Sequence, residues 1–160
     1  MRKLFISDIR PLLDFASPIW NLGYVGDTKL LESVQRRWTS QVMGLENLDY
    51  SARLRELELF SIKGRLLRSN LIMCYKIFHD LSAIEHSELF TMAPNVGTRG
   101  HCCKIQVQYT SIDARLKSFT CRVVEDWNSL PSEIVKAPSL DTFKGRLQCY
   151  LGDRLYEFIQ

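Results

Sequence analysis

Three groups of residues in this chain are of types that do chemistry. His101-Cys102-Cys103 sets an imidazole beside two thiols, which are the ligand types of zinc. Adjacent ligands point in different directions, however, and no second Cys/His pair stands at finger-like spacing. His79, His86, Cys74 and Cys121 are scattered, so no metal site is expected. Glu125-Asp126 comes nearest to the clustered carboxylates that hold two metal ions in polymerase chemistry. Neighbouring helical positions diverge by about 100°, so this pair reads as a charged flank. The third group is cationic: Arg36 and Arg37, then Arg65, Arg68 and Lys76, then Arg99 before Gly100. Guanidinium and ammonium groups on outer helix faces suit contacts to phosphates, and an Arg-Gly pair in a turn can cradle one. There is no Gly-rich phosphate loop, no Gly-x-Ser-x-Gly elbow and no His-Glu-x-x-His. Neither an enzyme, a cofactor nor a small-molecule substrate is expected.

The elements that must carry these groups are mostly helices. A chain of 160 residues, 46% apolar and 24% charged, is long enough to bury a core. Its net charge of +3 is compatible with nucleic acid but does not diagnose it, because clustering decides. No apolar run approaches membrane-span length, and the first residues have a basic start without an adequate apolar region. Five cysteines without paired spacing fit reduced thiols in an intracellular protein, cytoplasmic or nuclear and not secreted.

Apolar periodicity predicts a helix over residues 2–15, kinked or split at Arg10 by Pro11 and ended by Ser17-Pro18, with Trp20 as a core anchor in the turn that follows. A second helix opens at Asp27 or Thr28 and closes at Gly44, with Leu31, Val34, Trp38 and Val42 inward and Arg36-Arg37 away from that stripe. A short helix covers Tyr50 to Leu57. The longest amphipathic segment runs from Ser61 to Leu81, its apolar half carrying Leu66, Leu71, Cys74, Ile77 and Phe78. Its other side carries Arg65, Arg68, Lys76 and His79, the clearest basic face in the chain. Asn70 falls within the apolar half and needs a hydrogen-bond partner there.

Residues 85–90 add one helical turn, and 93–100 are turn chemistry throughout. Cys103 to Tyr109 alternates with period two, which predicts a strand paired near Met92 or Thr110. Residues 113–130 read as a helix with Phe119, Val123, Val124, Trp127 and Leu130 on one face, stopped by Pro131. Pro138-Ser139 leads into a last helix with Phe143 and Leu147 inward; Gly152 weakens it, so residues 155–160 are expected to fray. The fold class is therefore mainly α: an irregular bundle of about six helices with a small β strand or hairpin near 102–110. Its expected parts are a helical subdomain at 1–91, a loop and strand at 92–111, and a second helical subdomain at 112–160 packed on the first. Trp20, Trp38, Phe78, Phe119, Trp127, Leu130 and Phe143 are the expected core.

A family resemblance adds to this. Arg10-Pro-Leu-Leu-Asp-Phe-Ala-Ser-Pro-Ile-Trp20-Asn is followed by Leu31-Glu-Ser-Val-Gln-Arg-Arg37, Arg53-Leu54, Leu57 and Leu59-Phe60-Ser61. Then come Arg68, Leu71-Ile72, Tyr75-Lys76-Ile77, Thr98-Arg99-Gly100-His101, Arg122-Val123-Val124, Trp127-Asn128-Ser129-Leu130-Pro131 and Phe143-Lys144. In that order the series resembles the C-terminal tail of the endonuclease–reverse transcriptase polyprotein of animal non-LTR retrotransposons, LINE elements of the jockey and chicken-repeat kind. The resemblance covers about residues 4–151 and implies thumb and post-thumb helices that follow a polymerase palm. The family's catalytic Asp-Asp motif lies upstream of this segment, so no catalytic residue is carried over. Implied partners are the upstream reverse-transcriptase core and RNA or an RNA–DNA hybrid, met by Arg36, Arg37, Arg65, Arg68, Lys76 and Arg99. Asn70 stands where the family often has an acid. Met1 opens partway through the pattern, which suggests a truncated copy. The alternative is an interaction remnant without activity, marked by an exposed apolar patch along residues 4–20.

Overall fold

A computed structural model describes residues 5–94 and 100–159. Among these the chain is mainly helical, with ten α-helices and no sheet. It divides into two compact units, Met1–Leu67 with Leu151–Gln160 and Arg68–Tyr150. These do not follow the expected cuts at 91 and 111. The physical reason is that the C-terminal residues bond back to the start of the longest helix, so sequence order and compactness part company.

The first unit begins with a π-helical turn at Phe5–Ile9 and continues as α1 (Arg10–Asp14). Pro11 lies in the first turn of α1, where its missing N–H costs nothing, and the helix passes from π to α geometry at Arg10 without a break. Ala16 takes a left-handed φ of 50°, and Ser17–Trp20 form α2, with Pro18 in its first turn. Ser17-Pro18 thus starts a helix and does not merely end one.

Next comes α3 (Val25–Ser40). Its buried residues are Thr28, Glu32, Gln35 and Thr39, while Leu30 and Val34 are exposed and Leu31, Trp38 and Val42 are half-buried. The expected inward stripe is therefore displaced by a polar one. In α4 (Tyr50–Glu56), Asp49 caps the N-terminus by accepting from the Ala52 N–H at 3.0 Å. Phe5, Leu45, Tyr50, Leu54, Leu57 and Leu59 form the apolar cluster, with Phe5 stacked on Trp38 at 4.3 Å.

The longest helix, α5, covers Ile62–Phe78, with Ile62–Leu67 in the first unit and the rest in the second. Ser61 receives the Gly64 N–H on its hydroxyl oxygen at 3.0 Å, and its own backbone N–H donates to the Leu155 carbonyl at 2.9 Å. Residues 152–159 are thereby held: Gly152–Leu155 form a 3₁₀ turn, Leu155 is buried, and Tyr156 and Phe158 pack on the apolar cluster. The expected fraying of 155–159 does not occur. A β-carbon on Gly64 would lie 2.3 Å from the Leu155 carbonyl oxygen, so only glycine allows this approach.

The second unit holds the rest of α5 and then α6 (His86–Leu89), α7 (Asp113–Leu116), α8 (Phe119–Asn128), α9 (Ser132–Val135) and α10 (Leu140–Leu151) to Tyr150. The expected helix at 113–130 breaks before Phe119, because Ser118 is extended. Ser139 caps α10 by accepting from the Thr142 N–H. The expected strand reduces to one antiparallel bridge, Met92 with Ile105. Side chains of α8 take the backbone groups that a longer ladder would have used. Asn128 accepts from the Ile105 N–H at 2.9 Å and donates to its carbonyl at 2.8 Å, and Trp127 Nε1 donates to the Cys103 carbonyl at 2.8 Å.

The core of this unit is aromatic. Trp127, Leu130 and Phe143 are fully buried; Phe78 and Phe119 are partly so. Phe78 stacks on Trp127 at 5.2 Å and on Phe90 at 5.8 Å, and Tyr75 stacks on Phe143 at 4.2 Å. Tyr75 also donates its hydroxyl to the Ala137 carbonyl at 2.7 Å. Trp20 does not join the expected core: it is 41% exposed, with Nε1 donating to the Phe15 carbonyl.

Candidate nucleic-acid interface

Helix α3 carries Arg36 and Arg37 at consecutive positions that point about 100° apart, and both are exposed. The Arg36 guanidinium lies 4.8 Å from the Tyr50 ring centroid and 5.3 Å from that of Phe158, a cation–π seat that holds the side chain in place. Arg37 stands on the rim of a shallow groove of about 430 Å³ lined also by Leu30, Val34 and Trp38.

Arg65 is different. It is 5% exposed, and its Nη1 donates to Asp14 Oδ2 at 3.2 Å. Burial pushes its guanidinium below the ordinary arginine range, and Asp14 opposes that. An arginine so enclosed holds α5 to α1 and cannot reach a phosphate outside. The expectation that it belongs to a basic face is therefore corrected. A helical wheel of one helix cannot see that α1 covers this side as well. Arg68 and Lys76 are half-buried in the second unit, and Arg99 lies outside the described residues. The expected set thus leaves one exposed adjacent pair.

Asn70 is buried and accepts from Arg122 Nη2 at 3.3 Å. The partner it needs is therefore a side chain of α8. The sequence reading also missed the network behind α3. Glu32 is buried; it accepts from the Tyr50 hydroxyl on Oε1 and from the Ile62 N–H at 2.9 Å on Oε2. That second bond places a carboxylate at the N-terminus of α5, where the helix dipole favours it. Burial raises the Glu32 carboxyl above the ordinary range, and it also raises the Tyr50 phenol, with Glu32 adding to the latter. Gln35 Nε2 donates to the Tyr50 oxygen at 3.2 Å and to the Phe60 carbonyl at 3.0 Å. Arg53 donates to Thr39 Oγ1 at 3.3 Å and to the Leu48 carbonyl at 2.8 Å. The one available signal was spacing: Thr28, Glu32, Gln35 and Thr39 recur every three or four residues, which is a helical stripe of polar type.

What the first unit displays instead is apolar. Leu12, Phe15, Ile19, Trp20, Leu22, Tyr24, Val25, Leu30 and Val34 are all exposed, the first three by 78–79%. No group of three or more His, Cys, Asp or Glu able to hold a metal ion is found among the described residues. No helix among them is long and apolar enough to cross a membrane. No protein-family model, no curated protein and no solved structure matches this chain.

Proposed function

We propose that this chain is a non-catalytic helical module that packs on a larger protein through the surface of its first unit, and that the larger protein is the reverse-transcriptase core of a non-LTR retroelement. The observation that carries the packing role is the set of nine large apolar side chains exposed between Leu12 and Val34. Apolar exposure on this scale in one short stretch marks a surface that another protein covers. The identity of that protein rests on the ordered series from Arg10 to Lys144 that resembles the retrotransposon tail. Contact with RNA or an RNA–DNA hybrid is the subordinate part of the proposal, carried by Arg36 and Arg37 of the first unit.

Co-expression with an upstream palm-bearing segment of such an element tests this. A stable complex is expected, and Leu12→Asp with Ile19→Asp abolishes it while the helical content is kept. In the same preparation, hybrid binding should fall steeply with added salt, and Arg36→Glu with Arg37→Glu should weaken it. Polymerase extension by the chain alone should read zero. A chain that stays monomeric, binds no hydrophobic dye and forms no complex overturns the packing role. The exposed surface favours one second reading, an interaction remnant whose core partner is lost. A chain that self-associates through the same residues, and is not rescued by the palm segment, decides for that reading.

A further inference from the structure

We infer that Cys102 and Cys103 form a redox-active dithiol in the second unit, which closes reversibly to a disulfide ring between neighbouring residues. The two sulfurs lie 3.8 Å apart, close enough for one thiol to hydrogen-bond the other. Along a straight extended chain, side chains of consecutive residues stand on opposite sides. A bend at Cys102 brings these two together instead. Both cysteines are free; Cys102 is exposed and Cys103 is half-buried.

Bonds to α8 hold this bend on either side. His101 Nε2 donates to the Trp127 carbonyl at 3.0 Å, and Trp127 Nε1 donates to the Cys103 carbonyl at 2.8 Å. Asn128 takes both the N–H and the carbonyl of Ile105. Residues 101, 103 and 105 are thus tied to one helix, and Cys102 between them is left facing solvent. Burial, and then the Cys102 sulfur, push the Cys103 thiol up to about 11, while the Lys136 ammonium opposes this. Cys103 therefore keeps its proton while Cys102 reacts. Cys74 on α5 feels the charge of Cys103 but is fully buried, so no reagent enters there.

The oxidant is a small-molecule disulfide of the glutathione class. Cys102 gives its proton to solvent, and its thiolate attacks one sulfur of the oxidant. A mixed disulfide forms on Cys102, and one small thiolate leaves. The Cys102 sulfur then carries no charge, so part of what held the Cys103 proton is gone, while Lys136 remains. Cys103 loses its proton and its sulfur attacks Cys102 Sγ. The bond between Cys102 and Cys103 forms, and the second small thiolate leaves. The two leaving thiolates take up the two protons. The protein dithiol is thereby oxidised by two electrons, and the small disulfide is reduced to two thiols. The ring is strained, because α-carbons of consecutive residues are about 3.8 Å apart across a trans peptide, short of the roughly 4.4–6.8 Å of ordinary disulfides. Strained and exposed disulfides are the readily reduced, regulatory kind, so excess thiol reopens the ring. The inference goes beyond the packing role and is independent of it, since both thiols lie in the other unit.

Mass spectrometry of the full chain, equilibrated with mixtures of oxidised and reduced glutathione, tests this. Trypsin releases residues 100–104 with both thiols in one peptide. In the wild type that peptide should lose two hydrogens, and excess reduced glutathione should restore them. Cys103→Ser should stop at the first stage and hold glutathione on Cys102. A chain unfolded in urea should form the ring about tenfold less than the folded one, since the fold is what brings the sulfurs together. A monosubstituted trivalent arsenical, which binds two thiols at once, gives a second reading. The wild type should capture it, and Cys102→Ser, at an exposed position where folding is not at risk, should not. A peptide that keeps both hydrogens in the most oxidising mixture, or a glutathione adduct that persists on wild-type Cys102, overturns the inference. So does equal ring formation in the unfolded chain, or a bond from Cys103 to Cys74 or from Cys102 to a second chain. Leu12→Asp with Ile19→Asp should leave every one of these readings unmoved.

Discussion

The two units solve the problem of burial in opposite ways. The second closes around rings: Trp127, Phe78, Phe143, Tyr75 and Phe90, and among the described residues its buried polar residues are Asn70 and His101. The first buries nine: Ser17, Asn21, Thr28, Glu32, Gln35, Thr39, Arg53, Ser61 and Arg65. Both units leave apolar residues outside, but in the first they gather between Leu12 and Val34. An aromatic core gains from area and shape, and tolerates polar groups only where each has a partner. A polar core gains little net energy from each hydrogen bond, but losing one partner strands another group. The first unit is therefore specified by its wiring and the second by its packing. Helix α3 turns its polar stripe inward because Tyr50, Phe60 and the N-terminus of α5 receive it, and Leu30 and Val34 are left exposed.

The largest expected effect tests the packed unit. Trp127→Ala removes the centre of the ring cluster and leaves the Cys103 carbonyl without its donor; a loss of about 3–5 kcal/mol is expected by urea unfolding. Asn128→Ala at the neighbouring position should cost far less, since it removes bonds and not the core. If the two cost the same, the second unit is wired too, and the contrast fails.

Glu32→Ala tests the wired unit. It strands the Tyr50 hydroxyl and the Ile62 N–H, and about 2–4 kcal/mol is expected to go. The pH dependence sharpens this. Burial raises the Glu32 carboxyl in the folded state, so the folded chain binds the proton more tightly than the unfolded one. Its contribution is fully present below the ordinary carboxyl pKa and is lost as pH rises through the raised value. Glu32→Gln removes that slope. His101 has the opposite sign: its folded pKa lies below the ordinary 6.5, so its contribution is present at neutral pH and lost as pH falls below 6.5. Urea midpoints measured across the acid range for the wild type, Glu32→Gln and His101→Gln should show the two opposed slopes.

The smallest effect tests how the C-terminal residues close the first unit. Gly64→Ala should gain helix propensity, but it drives a methyl group into the Leu155 backbone. A net loss of about 1–3 kcal/mol is expected, with faster amide exchange confined to residues 152–159. Stabilisation by Gly64→Ala would mean that this close approach does not hold the segment.

Much of the second unit was legible in the sequence because its core is apolar. Val123, Val124, Trp127 and Leu130 fall on one face of α8, and Pro131 and Ser139 mark the stop and restart around α9. The alternation at 103–109 yields only the bridge of Ile105 to Met92, one of the two partners expected. A longer ladder does not form among the described residues, since the side chains of Trp127 and Asn128 take the bonds. The first unit read poorly for the reason that distinguishes it. Hydrophobic periodicity assumes that apolar residues face inward, and on α3 the inward residues are Glu32, Gln35 and Thr39. The candidate site suffered likewise: Arg65 shares a helix with Arg68 and Lys76, yet α1 brings Asp14 against it.

The sequence by itself determined the helical class, the cap at Ser139, the stop at Pro131, and the ring-bearing face of α8. Each of these depends on residues within a few positions of one another, where backbone sterics and local hydrogen bonds decide. Only the tertiary structure decided that Arg65 is enclosed, that Trp20 lies outside, and that Glu32 sits at the N-terminus of α5. Those outcomes depend on partners 30 to 60 positions away in most cases, as with Glu32 and Ile62. Whether a polar side chain faces water or a partner is set by which other segment reaches it, and no local pattern carries that information.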